Sequence, residues 1–277
     1  MDLSFDIDRP AEKGAGSSPL NWLRGVVAEV VPPGIALIVI VVAWEAVVRL
    51  ANVPIYLLPA PSAMFVKFLA IRNSLLQDAG VTLLEALVGL AIGSTVGVAL
   101  GTLVARSVFM ERLVYPVAVT IRATPFIAIA PLFILWFGFT LMPKALVAAL
   151  ACFFPMLSNS IVGLRSVDAT ALEFFQSVRA SPRQVFWRLR VPTALPYLFA
   201  SLRLCVSMSL IGAVVGELVG ARAGLGFIID DAAQNLLTPT IFSAVALLTL
   251  MGVVLSELVV LVESRVLFWH ESQRQRT

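Results

Sequence analysis

Histidine is almost absent from this chain of 277 residues: His270, close to the C-terminus, is the only one. No cluster of histidine, cysteine and carboxylate can be built around it to hold a metal. Nor is there a Ser–His pair inside an apolar run for nucleophilic catalysis. An intramembrane metalloenzyme or hydrolase is disfavoured on those grounds. Cysteine is nearly as scarce. Cys152 and Cys205 both lie within apolar runs, so they form neither a loop-stapling disulfide framework nor a CxxC metal site. Charge is thin throughout: charged residues make up 13% of the chain, against roughly 25% in an average soluble domain. The mean hydropathy is +0.95. Such a chain avoids water over most of its surface and reads as an integral membrane protein.

Two further absences narrow the class. Residues 1–32 are rich in Asp, Gly, Ser and Pro and lack the basic start and small-residue cleavage site of a secretory signal, so they are expected to be a cytoplasmic tail before an uncleaved anchor. No GxxxxGK[ST] phosphate loop is present, because Lys13, Lys67 and Lys144 all lack the preceding glycines. The chain is therefore expected to bind no cofactor itself, and nothing in it points to nucleic acid.

What is abundant is apolar sequence. A bilayer core of about 30 Å needs about 20 apolar residues per span. The sequence predicts six spans, at about 34–50, 82–106, 113–137, 143–164, 196–219 and 240–268, within an all-α transmembrane domain covering 33–268 and followed by a tail at 269–277. A short amphipathic helix is expected over about 61–77. The second span carries Gly89, Gly93, Gly97 and Gly101, a stripe on which another helix can pack closely. The third contains Pro116, Pro125 and Pro131 and is expected to be kinked or broken, which a span tolerates where it lines a cavity or is buried in protein. With both termini inside, thirteen Lys and Arg face the cytoplasm and five face out, Lys144 among the latter; Arg122 and Arg203 fall in or beside spans. That bias sets the orientation.

The loop between the fourth and fifth spans, 165–195, is unlike the rest. Asp168 is placed to cap a helix over about 169–178 that ends near Arg179. Ser181, with Pro182 next and Gln184 three positions on, forms a capping box that opens a second helix. Pro192 is expected to limit that helix to about nine residues. Leu172, Phe175 and Val178 line one face of the first helix; Val185, Phe186 and Leu189 line the second, with Arg183, Arg188 and Arg190 around them. Periodicity leaves two coverings open: lipid headgroups or a partner protein with an apolar groove.

Ionisable groups within spans mark a pathway by default. Arg122, Glu217 and Glu257 qualify. Arg122 and Glu217, with Ser158 and Asn159 beside them, are read as lining or gating a route, the equal alternative being a structural ion pair or interhelical hydrogen bonds. Glu45 and Glu85, near span ends, read as interfacial. GLG at 224–226 follows no strand and reads as an external turn before Asp230 and Asp231.

The loop resembles the EAA loop of the permease subunits of bacterial ABC importers, whose pattern is E-A-A, three residues, G, nine residues, I-x-L-P. Glu173 falls on the glutamate, Phe174 and Phe175 on the alanines, Arg179 on the glycine, and Leu189 to Pro192 on I-x-L-P. Two departures are the bulky Phe174 and Phe175 and the non-glycine Arg179. Over about 55–265, LLPAPS (57–62), ATPFIAIAPLFILWFGF (123–139), FFPMLSNS (153–160) and GELVGARAGLGF (216–227) are similar to the nitrate, sulfonate and taurine branch. IGAVVGE (211–217) is similar to hydroxymethylpyrimidine, riboflavin and aromatic acid members.

The resemblance implies a type I ABC importer permease fold in a bacterial inner membrane. It implies a second permease copy, two ATPase subunits that hold ATP and Mg and receive the loop, and an extracytoplasmic binding protein that delivers a small solute and meets Asp230 and Asp231. It places Asp168, Leu172, Glu173, Phe174, Phe175, Arg179, Ser181, Pro182, Phe186, Leu189 and Pro192 at the ATPase contact. A secondary carrier or channel is the alternative, although inverted repeats and paired broken helices are not evident.

Overall fold

The glycines spaced four apart between 89 and 101 all fall on one buried helix face, and the core is organised around them. A computed structural model describes residues 19–267. The expected tail at 269–277 and His270 lie outside the described residues, as do residues 1–18. Two units are distinguished, residues 1–53 and 54–277.

The first unit holds α1 (Pro19–Leu50), closed near its end by an Arg49–Glu45 ion pair of 2.5 Å one turn apart. The expected span at 34–50 falls within it. The tail assigned to 1–32 is helical from Pro19 onward, a correction with a local cause: proline suits the first helical position, where its missing N–H is not needed.

The second unit is entirely helical among the described residues. It runs α2 (Pro61–Arg106), α3 (Val108–Ala123), α4 (Phe126–Phe137), α5 (Leu141–Arg165), α6 (Ala169–Ser177) and α7 (Pro182–Val185). After a π turn at Phe186–Arg190 come α8 (Val191–Gly220), α9 (Leu225–Gln234) and α10 (Thr238–Val266). Among the described residues, four helices are long and apolar enough to cross a membrane, and the bent pair α3–α4 makes a fifth.

Three boundaries differ from the expectation. The amphipathic helix at 61–77 and the span at 82–106 are one helix, α2, bent only at Ile71 (φ −115°, ψ 16°). Helix propensity explains this: a single Gly80 costs a helix only about 1 kcal/mol and does not stop it. Of the three prolines in the third span only Pro125 breaks it, turning the chain by 98°. Thr124 before it is driven to the extended region (φ −79°, ψ 128°), as a residue preceding proline is. Pro192, finally, does not end the helix it was expected to limit.

α5 is the centre: 61% of its apolar window is buried inside the protein, against 6% for α10. Backbone meets backbone on two sides of it. On the α2 side a Cβ added to Gly97 would lie 2.8 Å from the Phe153 carbonyl oxygen, and one on Gly101 would lie 2.9 Å from that of Leu157. On the α8 side a Cβ on Gly212 would lie 2.6 Å from the Ala148 Cα. Between helices in a membrane such packing is the main attraction, because lipid tails are as apolar as leucine. Cys152 and Cys205 are free and buried, and each thiol donates to the other's carbonyl oxygen, at 3.2 and 3.4 Å, across α5 and α8. Arg203 on α8 pairs with the buried Glu263 of α10.

Candidate functional site

The helix pair after α5 is assembled from its own caps. The Asp168 carboxylate accepts from the Ala171 N–H at 3.0 Å. Ser181 Oγ accepts from the Gln184 N–H at 3.3 Å, and Gln184 Oε1 accepts from the Ser181 N–H at 2.7 Å, a complete capping box. Between them the chain reverses at Arg179, with φ 52°. The Ala180 N–H reaches back to the Phe175 carbonyl at 2.9 Å, closing a left-handed helix end.

A non-glycine residue in that region costs about 1–2 kcal/mol. Arg179 stands where the motif has glycine, and the backbone there takes the positive φ that glycine adopts freely. Arg179→Gly is expected to relieve the strain and slow amide exchange across 169–180 about fivefold. Hydrogen–deuterium exchange on the purified protein reads this; unchanged exchange would show the turn to be unstrained.

Pro192 was expected to stop the second helix. Instead the Val191 N–H donates to the Phe186 carbonyl, five residues back, in a π turn. Widening one turn moves the carbonyl that would collide with the proline ring, so helix continues through it. Residues 182–220 form one helical rod of 39 residues, and the loop is rigidly joined to the span α8.

Leu172, Phe175, Phe186 and Leu189 are half-buried, whereas Glu173 and Val178 are exposed. Phe174 is 64% and Trp187 60% exposed, which leaves two large apolar side chains without cover. The pair is braced from below. Arg165 donates to both Glu111 carboxylate oxygens, at 3.0 and 2.8 Å, and to the Val104 carbonyl at 3.1 Å. Arg190 donates to the Leu164 carbonyl at 3.3 Å.

Further along the bundle a cavity of about 410 Å³ opens at the break between α3 and α4. Arg122 from the last turn of α3 lines it, with Phe126 from α4, Phe154, Pro155, Ser158 and Asn159 from α5, and Met208 from α8. The Arg122 guanidinium sits 4.7 Å from the centroid of the Phe154 ring. Asn159 Nδ2 donates to the Pro155 carbonyl at 2.9 Å. The N-terminus of α4, which begins at Phe126, has no side-chain cap. Three of the four residues assigned to a pathway are thus brought together: Arg122, Ser158 and Asn159. No carboxylate pairs with Arg122 among the described residues.

Glu217 is not among them. It is 1% exposed and holds the start of α9. Its Oε2 accepts from the Gly226 N–H at 2.5 Å and its Oε1 from the Thr82 hydroxyl at 2.7 Å. Thr82 Oγ1 accepts from the Leu225 N–H at 2.8 Å, and Asp78 Oδ1 from the Gly224 N–H at 2.7 Å. Three consecutive N–H groups at a helix N-terminus are satisfied by side chains of α2 and α8, as helix-end donors require.

GLG at 224–226 is accordingly a buried helix start rather than an exposed turn, and Gly224 adopts φ 111° with no room for a Cβ beside the Glu217 carboxyl. Glu85, expected at the interface, is 2% exposed, its Oε1 3.6 Å from Lys144 Nζ. Lys144, counted in an external loop, is buried and also donates to the Thr140 carbonyl at 3.0 Å. Glu257 is exposed on α10. The spacing of Asp78, Thr82 and Glu85 on one helical face was the available signal for this network.

Residues 93–267 match the family described as the binding-protein-dependent transport system inner membrane component. The chain belongs to this family. The formylaminopyrimidine transport permease protein ThiX of Halalkalibacterium halodurans is 34% identical over 87% of this chain and 96% of its own length. The riboflavin transport system permease protein RibX of Chloroflexus aurantiacus is 37% identical over 86% of this chain and 90% of its own. The putative aliphatic sulfonates transport permease protein SsuC of Bacillus subtilis is 30% identical over 94% and 92%.

Among solved structures, the inward-facing MetNI methionine ABC transporter superposes with a TM-score of 0.61 at 19% identity, covering 71% of this chain and 96% of that one. An amino acid ABC transporter crystallised with histidines gives 0.60, covering 73% and 98%. These two establish the fold, that of a type I importer permease. The family match contains α5, the helix pair and the cavity. Asp78, Thr82 and Glu85 lie outside the match.

Proposed function

We propose that this permease subunit forms the translocation pathway of an ATP-driven importer for a small solute carrying an anionic or electron-rich heteroaromatic group. Sulfonate, nitrate, taurine, aromatic acid, and pyrimidine- or flavin-like solutes all satisfy that description. Two copies of the chain build the pathway, two ATPase subunits receive the helix pair and hold ATP and Mg, and an extracytoplasmic binding protein delivers the solute. Both termini face the cytoplasm and lipid covers the outer helix faces. Glu173, Phe174 and the capped turn around Arg179 contact the ATPase.

One observation carries the reading: the second helix of the pair and α8 are a single rod, and α8 lines, through Met208, the cavity that holds Arg122. A rigid rod passes a displacement from the ATPase to the pathway, which a floppy linker would absorb. In the cavity an unpaired guanidinium, an aromatic face and an uncapped helix N-terminus converge on one space. All three favour negative charge or a π-electron ring. A carrier driven by an ion gradient has no use for an exposed apolar helix pair joined to its span.

The test is uptake by proteoliposomes holding the permease, its ATPase and its binding protein. Uptake is expected to require ATP and to fall about tenfold or more in Arg122→Gln, the loss of one charge-assisted contact, while ATPase co-purification is unchanged. Transport under an ion gradient without the ATPase, or full activity in Arg122→Gln, would overturn the reading.

A further inference from the structure

A second hollow, about 580 Å³, lies where the helix pair meets the end of α2. Ala105, Arg106, Pro182, Arg183, Phe186, Trp187 and Arg190 line it. Three guanidiniums face one space with no carboxylate in its wall, and none of the three forms an ion pair among the described residues. Arg106 is held by its stacking on Phe186, 3.8 Å from ring centroid to Cζ. Arg190 is held by the Leu164 carbonyl. Like charges lining one hollow repel one another unless an anion lies between them, and guanidinium forks match phosphate oxygens in geometry as well as charge.

The level of the hollow decides which phosphate. Arg106 is the last residue of α2, Leu164 is next to the last of α5, and Arg190 immediately precedes α8. Three spans end there, so the hollow lies at headgroup depth. Its wall carries an open apolar side chain, Trp187 at 60% exposed, and Val108 and Phe109, which follow Arg106 in sequence, are exposed as well, as acyl chains near a headgroup site require. A basic pocket at span ends surrounded by apolar side chains is how lipid headgroups are held.

We infer that this hollow binds the phosphodiester headgroup of an anionic phospholipid, which bridges α2 to the helix pair. The inference rests on the orientation proposed above only for the leaflet that supplies the lipid.

Native mass spectrometry of the purified permease–ATPase complex, with phosphatidylglycerol or phosphatidylcholine added in turn, tests it. The anionic lipid is expected to be retained with about a hundredfold preference. Arg106→Gln with Arg183→Gln should reduce that preference to about fourfold. Arg183→Gln alone, which leaves the Arg106 stacking intact, should cut it about fivefold. Arg188→Gln removes the same charge from the same helical rod outside the hollow and should leave the preference unchanged. Equal retention of both lipids, or an effect of Arg188→Gln as large as that of Arg183→Gln, would overturn the site. So would inorganic phosphate at millimolar concentration binding in an Arg183-dependent manner while phosphatidylglycerol does not, which would identify a free-phosphate site. Preference seen in the isolated permease but absent from the complex would assign the hollow to the ATPase. None of these results depends on Arg122 or on uptake, so the site and the transport reading can fail separately.

Discussion

Glu217→Ala is expected to lower the stability of the detergent-solubilised protein by about 3–5 kcal/mol, the range seen when one partner of a buried charged network is removed. The carboxylate is 1% exposed and occupies the join of α2, α8 and α9. Its loss strands the Gly226 N–H and removes the acceptor for the Thr82 hydroxyl, which in turn holds the Leu225 N–H. A buried unsatisfied group alone costs about 1–3 kcal/mol. Thermal unfolding with exchange measured over 224–234 is the direct readout, and α9 should lose protection first. Glu217→Gln keeps one acceptor oxygen and should lose only about a third to a half as much, since a neutral hydrogen bond is roughly half as strong as a charge-assisted one. A variant with normal unfolding but lost uptake would return Glu217 to the pathway.

Gly93→Val is expected to prevent α2 from seating on α5, with a loss of more than about 3 kcal/mol. A Cβ there would collide with the Ala149 carbonyl group, which is backbone and cannot rotate aside. Relief requires the two helices to separate, and the neighbouring contacts at Gly89, Gly97 and Gly101 would separate with them. The control lies on the same helix: a Cβ on Gly80 meets nothing within 4 Å. Gly80→Ala should instead stabilise α2 by about 0.5–1 kcal/mol, the gain from removing a flexible residue from a helix interior. Melting of both variants in one detergent, with yield of folded monodisperse protein, decides it. If Gly93→Val melts within a degree of the parent, the stripe does not set the core.

Features encoded by neighbours in sequence are legible from the residues alone. Asp168 and Ser181 cap as their spacing requires, because a cap is a bond to a backbone N–H three residues on. The glycine stripe is buried because four-residue spacing puts those residues on one face of any helix. Pro192 and Arg179 depart from local rules for opposite reasons. A π turn absorbs the proline, whereas the tight reversal between two capped helices forces the arginine to a positive φ.

Partners distant in sequence are not legible in this way. Glu217 and Thr82 are 135 residues apart. An acidic residue in an apolar run is read as a pathway group whether it faces water or another helix, because hydropathy is the same in both cases. Glu85 and Lys144 each read as membrane-edge residues for that reason, and only the approach of α2 to α5 buries them together. The packing of α3, α4 and α8 around α5 leaves Arg122 facing a cavity instead of a carboxylate.

The sequence by itself determined the membrane class and the caps, which follow from composition and from bonds within one or two turns, and its motifs carried the family resemblance. Tertiary structure alone decided which intramembrane charges are neutralised and which is left open. Neutralisation depends on a partner within a few ångströms, and that distance is set by helix packing between segments that the sequence order keeps far apart.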